Sequence, residues 1–99
     1  MAGILPDLNS PVFQEGLLSL EREDALAVLA TLRKIRRMEW DQLHRNRGLR
    51  WEAILSRTGP GGRRIYSLRV SSKIRAVAYR DGDFLRLLSL HPDHDSAYN

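Results

Sequence analysis

The chain has no cysteine, only two lysines, and no apolar run long enough to approach a membrane span. Without cysteine there is neither a disulfide frame nor a thiolate metal site. The opening MAGILPDLNSPVF lacks the basic and long apolar regions of a secretory leader, and crossing a bilayer as a helix takes about 20 apolar residues. The expectation is therefore a cytoplasmic protein with no membrane partner. The scarcity of lysine means that fourteen of the sixteen cations are arginine. A guanidinium fork matches phosphate or carboxylate geometry, where an ammonium is only a point charge. A GC-rich genome also favours arginine, so the bias decides nothing alone.

What is present suffices for one core. With 99 residues and 42% hydrophobic content, the chain fits a single domain spanning 1–99 and excludes wholesale disorder. The net charge of +4 suits a polyanionic partner but is common in proteins that bind none. Its distribution says more: from Arg33 to Arg86 there are fifteen Lys/Arg against five Asp/Glu, while the flanks are acidic.

Ser10-Pro11 is a helix-start signal, a capping side chain followed by proline at the first helical position. Gly16 weakens an unbroken helix behind it, so a short helix or irregular arm is expected there. Glu21 to about Met38 reads as the principal helix, with acids in its first turn, cations in its last, and Leu26, Leu29, Leu32 and Ile35 at helical spacing. Trp40 to His44 adds a further turn or two. Leu49, Trp51 and Ile54 read as core. Thr58-Gly59-Pro60-Gly61-Gly62 reads as a flexible loop without regular structure. It divides a helical half (about 10–55) from a β half (63–91), which a tail (92–99) follows.

In the β half, IYSLRV alternates, with Tyr66, Leu68 and Val70 on one face and Ile65, Ser67 and Arg69 on the other. The runs IRAVAYR and DFLRLLSL meet at Asp81-Gly82, a hairpin signal. Three antiparallel strands in meander order follow, with one face packed on the long helix and the other left open for polar groups.

His91, His94 and Asp95, with Asp93 nearby, invite a metal reading. No helix fixes their geometry and no outer ligand set is evident, so neither metal nor cofactor is assigned. Proton transfer is the alternative, since a histidine near carboxylates and arginines titrates close to neutrality. Cleavage of RNA by its own 2′-hydroxyl needs a proton acceptor, cations for the phosphorane, and help for the departing 5′-oxygen. Arg69 and Arg75 could supply the cations, His91 or His94 the proton transfer, and Tyr98 a stacking surface or hydrogen bond. A solvated basic sheet face is the bland alternative.

The string Tyr66-Ser67-Leu68-Arg69-Val70, with Arg75 six residues beyond Arg69 and a strand leading to a terminal His and Tyr, resembles the RelE/ParE superfamily of type II toxins. It is closest in pattern to the YoeB-like ribosome-dependent mRNA endonucleases, over roughly Trp40 to Asn99. The resemblance implies an α+β domain, N-terminal helices packed on one face of a small antiparallel sheet, and a basic face that receives mRNA on the ribosome. It implies a cognate antitoxin as partner, and assembly as a homodimer or a toxin–antitoxin hetero-oligomer. Arg75 matches the family's phosphate-stabilising arginine and Arg69 a second basic position. Glu52 matches the carboxylate general base, at a longer spacing to Tyr66 because of the glycine loop. Arg63, Arg64, Lys73 and Arg86 are the further candidate RNA contacts.

Two features depart from that pattern. The terminal His and Tyr are adjacent in the branch, whereas Asp95-Ser96-Ala97 separates His94 from Tyr98 here, so His91 is an alternative to His94. Many relatives also open with a short strand, but Met1 to Leu20 holds no convincing alternating run beyond Gly3-Ile4-Leu5. Were that strand missing, the exposed sheet edge could take a strand from an antitoxin or a second copy. Two other functions fit the same resemblance: a ParE-like inhibitor of a topoisomerase (DNA gyrase), and a non-catalytic relative that only binds antitoxin or RNA.

Overall fold

The computed structural model describes residues 3–92; the candidates His94 and Tyr98, with Asp93 and Asp95, lie outside the described residues. The first strand, β1 (Leu5–Asp7), leads into α1 (Pro11–Leu18). Ser10 caps α1, its hydroxyl accepting from the Phe13 amide at 3.4 Å and donating to the Leu88 carbonyl at 3.2 Å. Gly16 does not interrupt this helix; it packs against Leu90, whose Cβ would lie 3.5 Å from an added methyl. Of the short helix and the irregular arm expected there, the short helix forms.

Helix α2 (Arg22–Ile35) ends three residues earlier than the sequence suggests, and α3 (Trp40–Arg45) follows it. Glu39 and Gln42 close a capping box at the start of α3. Val28, Leu32 and Ile35 form the buried side of α2, whereas Leu26 and Leu29 are exposed. The helical period was legible, but its apolar stripe is rotated from the one expected.

Strands β2 (Glu52–Ala53), β3 (Tyr66–Arg69), β4 (Ile74–Asp81) and β5 (Phe84–Pro92) complete a sheet of order β1-β5-β4-β3-β2. The β3-β4-β5 meander is present, with Asp81 facing Phe84 across Gly82-Asp83 and Gly82 at φ 61°. The sheet is mixed rather than purely antiparallel, because β1 runs parallel to β5. β1 also covers the edge that would lie open without it. The fold is α+β, and α1 supplies Phe13 to the principal core beside Val28, Leu68, Ala76, Leu85 and Leu87.

The opposite sheet face is only partly open. Ile54, Ile65 and Val77 are buried there as a second, smaller core, with Tyr79 and Leu88 packed against it. The glycine loop is drawn onto this face and is not without regular structure. It holds a 3₁₀ turn, Pro60–Gly62, with the Gly59 amide donating to the Arg63 carbonyl at 2.7 Å. Any Cβ on Gly59 would collide with Ile65 Cγ2, so only glycine allows this approach.

One irregularity positions everything that follows. Ala78 pairs with Leu87, but Val77 pairs with Ser89, so Leu88 is an extra residue in β5. Strict alternation from Leu85 and Leu87 would send Ser89 and His91 into the main core. The bulge instead aligns them with Val77 and Arg75, on the face away from the helices.

The amino-terminal strand is held closely, since the Ile4 amide donates to the Met38 carbonyl at 3.2 Å and a Cβ on Gly3 would lie 2.6 Å from the Arg36 carbonyl oxygen. A backbone atom cannot swing aside as a side chain can. Gly3→Ala is therefore expected to lower unfolding stability by about 1–3 kcal/mol, read as a fall in the urea midpoint at unchanged slope. An unchanged midpoint would mean that β1 does not dock on the α2–α3 turn.

Candidate functional site

The face away from the helices carries two adjacent cross-strand rows. Glu52, Ser67, Val77 and Ser89 form one across β2, β3, β4 and β5. Arg69, Arg75 and His91 form the next across β3, β4 and β5. Directly paired residues hold their Cβ atoms about 4.5–5.5 Å apart, so the ladder by itself sets two arginines and an imidazole side by side.

Arg75 is the centre of this arrangement. Its side chain is 7% exposed, and Nη2 donates to Ser67 Oγ at 2.9 Å, Glu52 Oε1 at 3.3 Å and the Arg50 carbonyl at 3.4 Å. The guanidinium thus reaches across β3 toward β2. Burying a cation costs several kcal/mol unless its protons find acceptors, and this shell supplies a hydroxyl, a carboxylate and a carbonyl. Arg50 contributes its carbonyl from a left-handed conformation, φ 51°, which costs a non-glycine residue about 1–2 kcal/mol.

Glu52 is held between cations yet reachable. Its side chain is 48% exposed, with Arg75 on one oxygen and Arg50 Nη2 at 3.9 Å from the other. On the other flank of Arg75, His91 is half-buried and its Nε2 lies 2.8 Å from Ser89 Oγ. Burial first, and the positive charge of Arg57 second, push the His91 pKa below its ordinary value. A histidine so shifted is neutral at pH 7 and able to accept a proton.

The four further RNA-contact candidates do not join this cluster. Arg86 lies on the same face toward β1, where Nη1 meets Asp7 Oδ2 at 3.0 Å and Nη2 meets Asp81 Oδ2 at 3.1 Å. Those two bonds, Asp7 first, raise its pKa further. Arg63 also pairs with Asp81, at 3.4 Å, and lies over the Tyr79 ring at 5.3 Å. Lys73 pairs with Asp24 of α2 at 3.3 Å. Arg64 is exposed in the approach to β3.

Three participants were not singled out from the sequence. Ser67 was placed on the correct face but given no role, although its position two residues before Arg69 was a usable signal. Ser89 was hidden by the bulge. Arg57 comes from the segment between β2 and the glycine loop, where no pattern ties it to His91.

Among the described residues, no three His, Asp or Glu side chains gather as a metal site, and no helix is long and apolar enough to cross a membrane. No family model matches the chain, and no curated protein matches it. Among solved structures, a copper-bound mutant toxin from Helicobacter pylori is similar, at 16% identity over 94% of this chain and 96% of that one, with a TM-score of 0.47. Similarity at that level assigns neither a family nor an activity.

Titration of the His91 ring by NMR is expected to give a midpoint below the ordinary value of about 6.5, and Arg57→Ala should raise it part of the way back. As the pH falls below the unfolded-state value, the unfolded chain takes up this proton first. The His91 contribution to stability is therefore intact above about pH 6.5 and lost as the pH drops through the folded-state midpoint. His91→Gln should flatten that loss. A midpoint at or above the ordinary value contradicts the assigned environment.

Proposed function

We propose that this protein is the toxin of a toxin–antitoxin pair, and that it cleaves mRNA at the ribosome by metal-independent acid–base catalysis. The observation that carries the reading is the buried Arg75, bonded to Ser67 and Glu52, with Arg69 and His91 beside it in the cross-strand row. A guanidinium fixed in advance stabilises a developing dianionic phosphorane without reorganising as charge builds. Two groups able to carry a proton flank it from opposite sides: a half-exposed carboxylate on β2 and an imidazole on β5.

These groups serve an internal transesterification of the RNA backbone. The 2′-hydroxyl loses its proton to a base while its oxygen bonds to phosphorus; the bond from phosphorus to the 5′-oxygen then breaks, and the departing oxygen takes a proton. The products are a 2′,3′-cyclic phosphate and a 5′-hydroxyl. Glu52 and His91 are the described residues positioned for the two proton transfers, while Arg75, with Arg69 next to it, faces the negative charge. The sequence resemblance to ribosome-dependent endonucleases points to the same chemistry, and it names mRNA, the ribosome and a cognate antitoxin as the partners to test. A toxin of this class would act in the cytoplasm.

Cleavage of a reporter message in a translating extract tests the reading. The intact protein should cut the message, and Arg75→Ala should slow cutting by about 10²–10³-fold, the effect of removing one preorganised charge-stabilising group. His91→Ala should also slow it and flatten its pH dependence near neutrality. A message left whole by the intact protein, with protein synthesis unaffected and a DNA-damage response on expression in cells, would favour topoisomerase inhibition instead.

A further inference from the structure

Beside the Arg75 row, a groove of about 350 Å³ opens on the same face, reaching from the segment that holds Arg57 to the start of α1 at Ser10 and Val12. Its lining includes Ile65, Val77 and Leu88 together with Ser89. These apolar side chains belong to the small second core, so the groove has a fixed floor. It is continuous with the candidate site, because Ser89 both lines it and lies 2.8 Å from His91 Nε2.

From this geometry we infer that the groove seats one nucleobase of the bound RNA, next to the phosphate that meets Arg75, and that Arg57 holds the backbone of that nucleotide at the rim. The inference rests on the endonuclease reading above. Three observations select a nucleotide as the occupant. The apolar floor suits the face of a planar heterocycle, while Ser89 and Thr58 offer hydrogen bonds to its edge. Arg57 is exposed and has no ion-pair partner among the described residues, so an anion there displaces no carboxylate. The groove also adjoins the imidazole, and a base one nucleotide from the scissile bond must lie within such reach of the proton-transfer group.

The same placement gives Arg57 a second effect. Its charge lowers the proton affinity of His91, and a phosphate bound to Arg57 would offset that charge. A seated nucleotide would then make His91 a better base than it is in the free protein.

Val12 is 66% exposed on the groove wall, so Val12→Trp can fill the groove without disturbing either core. The experiment maps cut positions on a reporter mRNA in a translating extract, and measures rates on that message, for the intact protein, Val12→Trp and Arg57→Ala. Val12→Trp should still cut, at positions with a changed base next to the cut and about tenfold more slowly at the originally preferred ones, the scale of altering one apolar contact in a pocket. Arg57→Ala should raise KM with little change in kcat and shift the acidic limb of the pH profile upward. If both variants cut at the same positions with the same rates and pH profile, the groove inference is overturned while the endonuclease reading stands. Unchanged cutting with lost binding of an antitoxin peptide by Val12→Trp overturns it equally, and assigns the groove to a protein partner. No cutting by the intact protein removes the reading on which the inference rests.

Discussion

A guanidinium placed in the interior of a sheet constrains everything around it. Arg75 stands near the start of β4, a strand with β3 on one side and β5 on the other, and its side chain is buried where water can satisfy little of it. Its stability there depends on acceptors that the neighbouring strands must bring: Ser67 from β3, Glu52 from β2, and the Arg50 carbonyl from the segment that leads into β2. This dependence gives the two-residue strand β2 a reason to exist. Glu52-Ala53 is too short to contribute much ladder energy, yet its pairing of Glu52 with Ser67 sets the carboxylate beside the buried charge. Removing an acceptor from a buried charged group costs more than an ordinary hydrogen bond contributes. The second core of Ile54, Ile65 and Val77 then holds the segment that leaves β2, and the close approach of Gly59 to Ile65 lets that segment lie flat. The glycine loop is therefore part of the support for the arginine and not simply a spacer between two halves.

The bulge at Leu88 is the second requirement, and it works by parity. Side chains alternate along a strand, so an odd insertion exchanges the two faces for every residue beyond it. Before the bulge, Leu85 and Leu87 belong to the helix-facing core. After it, Leu90 packs against that core while Ser89 and His91 join Val77 and Arg75. The bulge is stabilised where it occurs, since the carbonyl of Leu88 accepts from the hydroxyl of Ser10. The cap of α1 and the orientation of His91 thus share one hydrogen bond, linking the helical half of the chain to the candidate site on the sheet.

Much of this was legible in the sequence, for identifiable reasons. The Ser10-Pro11 start, the long helix, the Asp81-Gly82 hairpin and the faces of Tyr66 to Val70 all follow from local rules that act within a few residues. The mixed sheet did not follow, because the pairing of Leu5–Asp7 with Phe84–Arg86 is non-local and three residues carry no period. The stripe of α2 was half right: Leu32 and Ile35 are buried as expected, but Val28 completes the buried side while Leu26 and Leu29 are exposed, and hydrophobicity alone does not separate the two. Arg69 and Arg75 were recognised as a pair by their spacing, and the ladder sets them directly opposite one another. The role of Ser67 as an acceptor for Arg75 was not recognised, since a serine in an alternating strand looks like any other polar position.

The cations of this face differ in what they are paired with. Toward β1, Arg86 and Arg63 share Asp81, and Arg86 also holds Asp7, so that end is close to neutral and a phosphate there would compete with carboxylates already in place. Lys73 is likewise committed to Asp24. At the other end, Glu52 pairs with Arg75 and Arg50, and Arg57 adds a positive charge close enough to act on His91. The cations of the hairpin side serve the fold, because their carboxylate partners tie β1 and the β4–β5 turn to the strands between them.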